Sequence, residues 1–415
     1  MQDKDTTKST FNQLFKPILS KHFFKRIEDL NADKYVKKLK TMQLFELIAL
    51  AQIEQKRGLR DISNSLNNDD LAYAVNLTSI SASQISRRLR ALPIEVVQDT
   101  FNSLALNVGM KIGFKKVHNE LGRIILIDSS TISLCLTRYL WAEFRETKSG
   151  VKLHLRLRFT EDFSSPDKAV ITPARSSDST QMNSLVVEEK DVLNVFDRGY
   201  VDYKRFDSYC ENGTRFVTRL KANALFEIVQ ELPLESDSPI EKDSIVYLGT
   251  KGINKMQHPL RLLKTNDTKG NPVVILTNDF KLSAGQIGDI YRSRWQIELF
   301  FKWIKQHLRV KHFYGLSQQA VENQLFIALI TYCLLALLKL EVNYSGPLLT
   351  IKRILCACLY ASYESFIKTL YRQPIHESKG RRKVNYDTIY QMTVKQFIDG
   401  ESEHLDDLTY DPLVL

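Results

Sequence analysis

Between Val151 and Phe159 the chain alternates without a break: Val151, Leu153, Leu155, Leu157 and Phe159 are apolar, while Lys152, His154, Arg156 and Arg158 are basic. A period of two belongs to a strand, because successive side chains leave opposite faces of a pleated ribbon, and a helix cannot sort such a segment into two faces. The segment is therefore predicted as a strand with one face in a core and one basic face, and a sheet must lie beside it. A second run, Arg123-Ile124-Ile125-Leu126-Ile127, is apolar at strand length and leads into Asp128-Ser129-Ser130-Thr131. A strand covered on both faces reads this way, and it presents Asp128 at the carboxyl edge of its sheet. Ala169 to Thr172, Asp191 to Phe196 and Arg215 to Leu220 read as further strands, the second of them delivering Asp197 at its end. Residues 182 to 191 are predicted as a helix, as is a segment running through Phe206 and Tyr209 to Asn212-Gly213. Strands and helices in this order predict an α/β fold with a mixed sheet flanked by helices.

The stretch from Ile287 to Val310 is predicted as one helix. Ser283 with Gln286 forms a capping box, Leu282 with Ile287 a hydrophobic staple, and no Pro or Gly follows Gly288 before Gly315. Tyr291, Arg294, Glu298 and Lys305 fall at offsets 0, 3, 7 and 14, which places them within about 60° of one another on a helical wheel. Ile290, Ile297, Phe301, Ile304 and Leu308 form a separate apolar stripe that would seat the helix on a neighbouring layer. A carboxylate among cations and a phenol, beside a core-facing stripe, points to a site.

The rest of the chain is organised around these pieces. Residues 1–110 read as a helical region, 120–223 and 284–375 as two parts of the α/β core, 224–283 as a β-rich insertion broken by Pro and Gly, and 376–415 as a tail. Within the first, a short segment from Leu59 to Leu66, a polar loop and a helix capped by Ser81 and Gln84 resemble a helix-turn-helix, its last helix carrying Arg87, Arg88 and Arg90. A solvated helix with unremarkable arginines fits that segment equally well. The formal charge of +10 favours an anionic partner, nucleic acid first. Five cysteines at unrelated spacings fit free thiols in a reducing compartment. The polar N-terminus shows no secretory signal, and the longest apolar run, Leu325 to Leu338, is too short to span a bilayer, so no membrane partner is expected.

Asp128, Asp197 and Glu298 could then meet at one edge of the sheet. Each Asp alone is most simply a strand-end or turn residue; three acids together would repel one another unless a hard divalent cation neutralised them, and Mg²⁺ takes oxygen ligands while keeping positions open for phosphates. Two such ions about 4 Å apart can activate a water or a 3′-hydroxyl and stabilise the leaving oxygen of a phosphoryl displacement.

The spacing Tyr291-x2-Arg294-x3-Glu298-x6-Lys305 resembles the Y-R-E-K signature of a family of bacterial insertion-sequence transposases, members of the DDE group with an RNase H-like, retroviral-integrase fold. Leu126-Ile127-Asp128-Ser129 resembles the family's first Asp motif, Asp197-Arg198-Gly199-Tyr200 its second, and Phe216-x-Thr218-Arg219-x-Lys221 the strand that follows. The likeness covers most of residues 11 to 340. It implies an RNase H-like catalytic core preceded by a helical DNA-binding domain, with Asp128, Asp197 and Glu298 as the catalytic, metal-binding triad and Mg²⁺, or Mn²⁺ as a substitute, as cofactor. Tyr291, Arg294 and Lys305 would hold phosphates of the transposon end, with Lys302 and Arg309 extending the grip. Cut-and-paste DNA transposition follows, with double-stranded terminal inverted repeats and target DNA as partners, a homodimer in the synaptic complex, and a bacterial cytoplasmic, nucleoid-associated location. Some relatives stack a flipped base on a Trp of the β insertion; here Trp141, Trp295 and Trp303 all lie outside it, leaving Phe226, Tyr247 or His258 as substitutes and hairpin formation unassigned. Two other readings stay open: a transposase-derived DNA-binding regulator without chemistry, and a structure-specific nuclease of the same fold.

Overall fold

The computed structural model describes residues 9–113, 122–160, 163–221, 223–234, 238–267, 270–372, 388 and 391–395. The helical N-terminal region comprises α1 (Thr10–Phe15), α2 (Lys21–Asp29), α3 (Thr41–Ile53), α4 (Leu59–Ser65), α5 (Asp69–Ala74), α6 (Ala82–Ala91) and α7 (Ile94–Ile112). Its starts are written locally. Ser9, Ser20 and Asn68 accept from backbone amides of the first turns of α1, α2 and α5, and Ser81 and Gln84 close the expected capping box on α6. The polar loop expected between the two helices of the helix-turn-helix pattern contains α5.

The sheet is built from β1 (Arg123–Leu134), β2 (Glu143–Arg145), β3 (Lys148–Thr160) and β4 (Phe163–Pro173), then β5 (Val192–Phe196), β6 (Arg215–Arg219), β7 (Phe226–Glu231), β8 (Lys242–Leu248), β9 (Leu260–Asn266) and β10 (Pro272–Thr277). Two helices lie within this run, α8 (Met182–Leu185) and α9 (Tyr203–Asn212). After it come α10 (Ala284–Ser293), α11 (Trp295–His307), α12 (Gln318–Glu341), α13 (Leu348–Cys358) and α14 (Tyr363–Leu370). Strand order is β2-β3-β1-β5-β6-β10-β9-β8-β7, with β4 along the outer edge of β3 beyond β2. β1 runs antiparallel to β3 and parallel to β5, which is parallel to β6. This is the expected mixed sheet flanked by helices.

Several expectations change here. The helix predicted over 182 to 191 is only α8, after a 3₁₀ turn at Asp178–Gln181, since the chain is already extended by Val186. The strands of 224–283 extend the main sheet, because β10 pairs antiparallel with β6 and carries β9, β8 and β7 outward. The basic face of β3 is not a solvated one: Arg156 and Arg158 both hold Asp167 of β4, and His154 is fully buried. The N-terminal helices share one apolar core with the sheet and later helices, running from Phe11 through Leu126 and Trp303 to Leu370. At its centre is α12, which packs on α3, α6, α7, α13 and β4. By length and composition this 24-residue helix could cross a bilayer, but 94% of its most apolar window is buried inside the protein, so here it is the core helix. The tail from 376, with its basic run at 379–383, lies outside the described residues except for Thr388 and 391–395.

Candidate active site

Strand parity brings two of the acids together. Along β1, Ile124, Leu126 and Ile132 enter the core shared with α11 and α12, whereas Ile125 and Ile127 enter a second cluster on the opposite face with Phe196, Phe206 and Phe216. Asp128 has the parity of Leu126 and so leaves on the α11 side. Asp197 has the parity of Leu193 and Val195, which lie in that same core. The parallel ladder of β1 and β5 ends at Ile127 opposite Phe196. Asp128 and Asp197 are therefore the first residue past the ladder on each strand, side by side and facing the same way. Contrary to expectation, Asp128 does not end its strand, because β1 continues antiparallel to β3 as far as Leu134.

Glu298 arrives from α11. The capping box of Ser283 and Gln286 starts α10 as predicted, but the single helix over 287 to 310 is two. Ser293 Oγ donates to the Ile290 carbonyl, and the Arg294 amide reaches back three residues to Tyr291, a tightened step that separates α10 from α11. Arg294 keeps helical dihedrals, so the polar side stays in line. The stripe of Ile290, Ile297, Phe301, Ile304 and Leu308 is buried throughout and seats this pair of helices against the sheet.

Arg294 stands among the acids. Its Nη1 donates to Asp128 Oδ2 at 2.9 Å and its Nη2 to Glu298 Oε1 at 2.5 Å, while the Tyr291 ring centroid lies 5.9 Å from its guanidinium carbon. Burial pushes the Asp128 pKa up to about 7; Arg294 pulls it down, and Glu298 and Asp197 push it up. Burial works against the charge on Arg294, but Glu298 and Asp128 overcome it and raise its pKa. Burial also raises the Tyr291 phenol. Lys305 reaches β1, donating to Ser130 Oγ at 2.6 Å and to the Thr131 carbonyl at 3.4 Å. Among the described residues no three His, Cys, Asp or Glu side chains already gather as a metal cage. The donor set still fits a hard divalent cation in chemistry: Asp128, Asp197 and Glu298 offer only carboxylate oxygens, and the Arg294 guanidinium bridges two of them.

The other predicted residues separate. Lys302, one turn past Glu298, is half-buried on the same side of α11. Arg309 lies beyond the end of α11 at φ +54°, and its Nη1 donates to the Gln55 carbonyl at 3.4 Å, so it docks the N-terminal helices rather than lengthening the row of Tyr291, Arg294, Glu298 and Lys305. Arg88 leaves the set expected to meet DNA. It is 8% exposed and donates to the Leu39 and Ala32 carbonyls, Thr41 Oγ1 and Asp33 Oδ1. Arg87 and Arg90 are exposed on α6. Of the substitutes for a stacking Trp, Tyr247 carries Lys255 Nζ 5.3 Å from its ring centroid, Phe226 carries Lys264 Nζ at 5.8 Å, and His258 Nδ1 is 3.1 Å from Asp207 Oδ1. Asp178 and Ser129, beside the acids, were missed; a polar turn of serines around Asp178 carries no local signal of what it touches.

Residues 119–334 match the transposase DDE domain, and residues 6–71 match a domain of unknown function. A putative transposase of Sinorhizobium fredii is 33% identical over 65% of this chain and 74% of its own length. A probable transposase for an insertion-sequence element of Geobacillus stearothermophilus is 29% identical over 71% of this chain and 75% of its own. A putative insertion-sequence transposase of Synechocystis is 24% identical over 70% and 82%. A looser structural likeness, with a TM-score of 0.45 at 10% identity, runs to the piggyBac transposase in a synaptic complex with hairpin DNA, over 93% of this chain and 89% of that one.

Proposed function

The chain belongs to the transposase DDE domain family, and from that premise we propose that it cleaves DNA at the ends of its insertion sequence and joins the freed 3′-hydroxyls to target DNA, in cut-and-paste fashion. The observation that carries this is the meeting of Asp128 and Asp197 where the β1–β5 ladder stops, with Glu298 tied to Asp128 through Arg294. Asp128, Asp197 and Glu298 would hold Mg²⁺, or Mn²⁺ in its place; bound there, a divalent cation would activate a water or 3′-hydroxyl and stabilise the leaving oxygen.

The remaining groups position DNA. Arg294 and Lys305 flank the acids with two cations suited to phosphodiester oxygens. Tyr291, whose pKa burial raises, keeps its proton and can donate a hydrogen bond to the same backbone. Arg87 and Arg90 on α6 face solvent and can meet the duplex farther from the cut. Two transposon ends must be brought together, so a second copy of the chain is the expected partner in the DNA-bound state, in the bacterial cytoplasm.

Purified protein, given Mg²⁺ or Mn²⁺ and DNA carrying its own terminal repeats, should nick at the repeat ends and transfer them to a target plasmid. Asp128→Asn, Asp197→Asn and Glu298→Gln should each bind the repeats and do neither. Tight binding by active wild-type protein with neither nicking nor joining would refute the proposal, and cleavage without preference for the repeats would point to a nuclease.

A further inference from the structure

A polar cluster lies behind the acids, on the face of β1 that the chemistry above does not use. Ser129 follows Asp128 and leaves the strand on the opposite side. Its hydroxyl donates to Asp178 Oδ1 at 2.7 Å. The same oxygen lies 3.1 Å from Lys152 Nζ and 3.6 Å from His154 Nδ1, both on β3, where His154 stands across from Ser129 in register. His154 is fully buried, which lowers its pKa to about 4 and leaves Lys152 as the positive partner. The other oxygen of Asp178 faces the turn that follows β5: a Cβ placed on Gly199 would fall 3.3 Å from Asp178 Oδ2. Gly199 is two residues past Asp197, and Tyr200, next in that turn, is buried on the same face.

One carboxylate thus bonds to β1 at the residue after Asp128 and to β3 opposite it, and faces the turn that carries Asp197, where only a glycine leaves it room. Its position matters because the β1–β5 ladder ends at Ile127 and Phe196. Beyond that pair no strand hydrogen bond fixes the distance between Asp128 and Asp197. We propose that Asp178 is a positioning residue for the cation site, clamping β1 and the 198–200 turn from behind where the ladder stops and so setting the separation of Asp128 and Asp197. The charge-assisted bonds from Ser129 and Lys152 make the clamp stiffer than a neutral contact would be. This inference rests on the proposal that those acids bind a divalent cation. In other metalloproteins, groups that orient the ligands without touching the ion commonly change its affinity by about 10-fold or more when removed.

The test uses full-length protein and Mn²⁺, followed by electron paramagnetic resonance of the free ion, alongside nicking of terminal-repeat DNA across a Mn²⁺ titration. Asp178→Asn and Ser129→Ala should keep the wild-type circular dichroism spectrum yet bind Mn²⁺ about 10-fold more weakly, with nicking rescued as Mn²⁺ is raised. If Asp178 acts through Ser129, the double variant should be no weaker than Asp178→Asn alone. Wild-type Mn²⁺ affinity in both single variants, or losses that multiply in the double variant, would overturn the clamp. Should Asp178→Asn not fold, Ser129→Ala decides by itself, a folded protein with unchanged Mn²⁺ affinity counting against the inference. Wild-type protein that binds no Mn²⁺ and behaves as Asp197→Asn does would overturn the cation site itself, and the clamp with it.

Discussion

Asp128→Asn should make the protein more stable above neutral pH while abolishing its chemistry. Burial lifts the Asp128 pKa from 3.8 to about 7, Arg294 opposing the rise and Glu298 and Asp197 adding to it. A folded pKa above the unfolded one means that the native state holds this proton more tightly. The stability it contributes is complete below about pH 4 and is lost as the pH climbs through about 7. The loss is bounded by roughly 3 pKa units at about 1.4 kcal/mol each, or about 4 kcal/mol. Asparagine has the shape of the protonated acid and cannot ionise, so the variant escapes that loss, and Arg294 retains Glu298 as a partner. In equilibrium urea unfolding with EDTA, the variant's advantage should be near zero at about pH 4, widen steadily, and flatten above about pH 7 at no more than about 4 kcal/mol. Saturating Mg²⁺ at about pH 8 should restore stability to the wild type and not to the variant, since a cation bound only by the folded state stabilises it by mass action. A gap independent of pH, or a variant less stable at about pH 8, would show that Arg294 already neutralises Asp128 and would refute the reasoning.

Arg88→Met should destabilise the folded chain by about 3 kcal/mol or more, since it leaves the Leu39 and Ala32 carbonyls without their donor and the Asp33 carboxylate without its cation. Arg87→Ala and Arg90→Ala should leave stability within about 0.5 kcal/mol and instead lower the salt slope of DNA binding by about 1 each; an unchanged slope in both would remove α6 from the DNA interface. Glu46, buried in α3, has its pKa raised by burial from 4.5 to about 8. Its contribution to stability is therefore lost as the pH rises through that window, by at most about 5 kcal/mol, and Glu46→Gln should flatten the pH profile of urea midpoints over the same range.

What was legible in the sequence was what neighbours along the chain decide. The alternation from Val151 to Phe159 gave a strand, and Ser81 with Gln84 and Ser283 with Gln286 gave helix starts that hold to the residue. The line of Tyr291, Arg294, Glu298 and Lys305 survives the break between α10 and α11 because that step stays nearly helical. What escaped depends on partners far away in the chain. Nothing in the spacing of Arg87, Arg88 and Arg90 tells which one turns inward, since that is set by carbonyls at Ala32 and Leu39. The strands of 224–283 were visible, but their union with β6 is a pairing between Thr218 and Leu276, 58 residues apart. Asp178 shows the same limit: its turn reads as loop, and its meaning comes from Ser129, Lys152 and Gly199.

The two sides of β1 fit together as one design. On the α11 side, three carboxylates are held close enough for Glu298 and Asp197 to raise Asp128, with Arg294 between Asp128 and Glu298. Such a cluster costs stability, and apolar residues of the same volume would pack there with less penalty. On the opposite side, Asp178 joins β1 to β3 and lies close behind Gly199 of the 198–200 turn, away from the front face. Repulsion between Asp128 and Asp197 would push β1 and that turn apart at the point where the parallel ladder has just ended. A clamp behind that point opposes the separation without adding a fourth group to the site. The placement would keep Asp128 and Asp197 close, as the proposed shared cation would require, where a purely structural sheet edge would be free to relax.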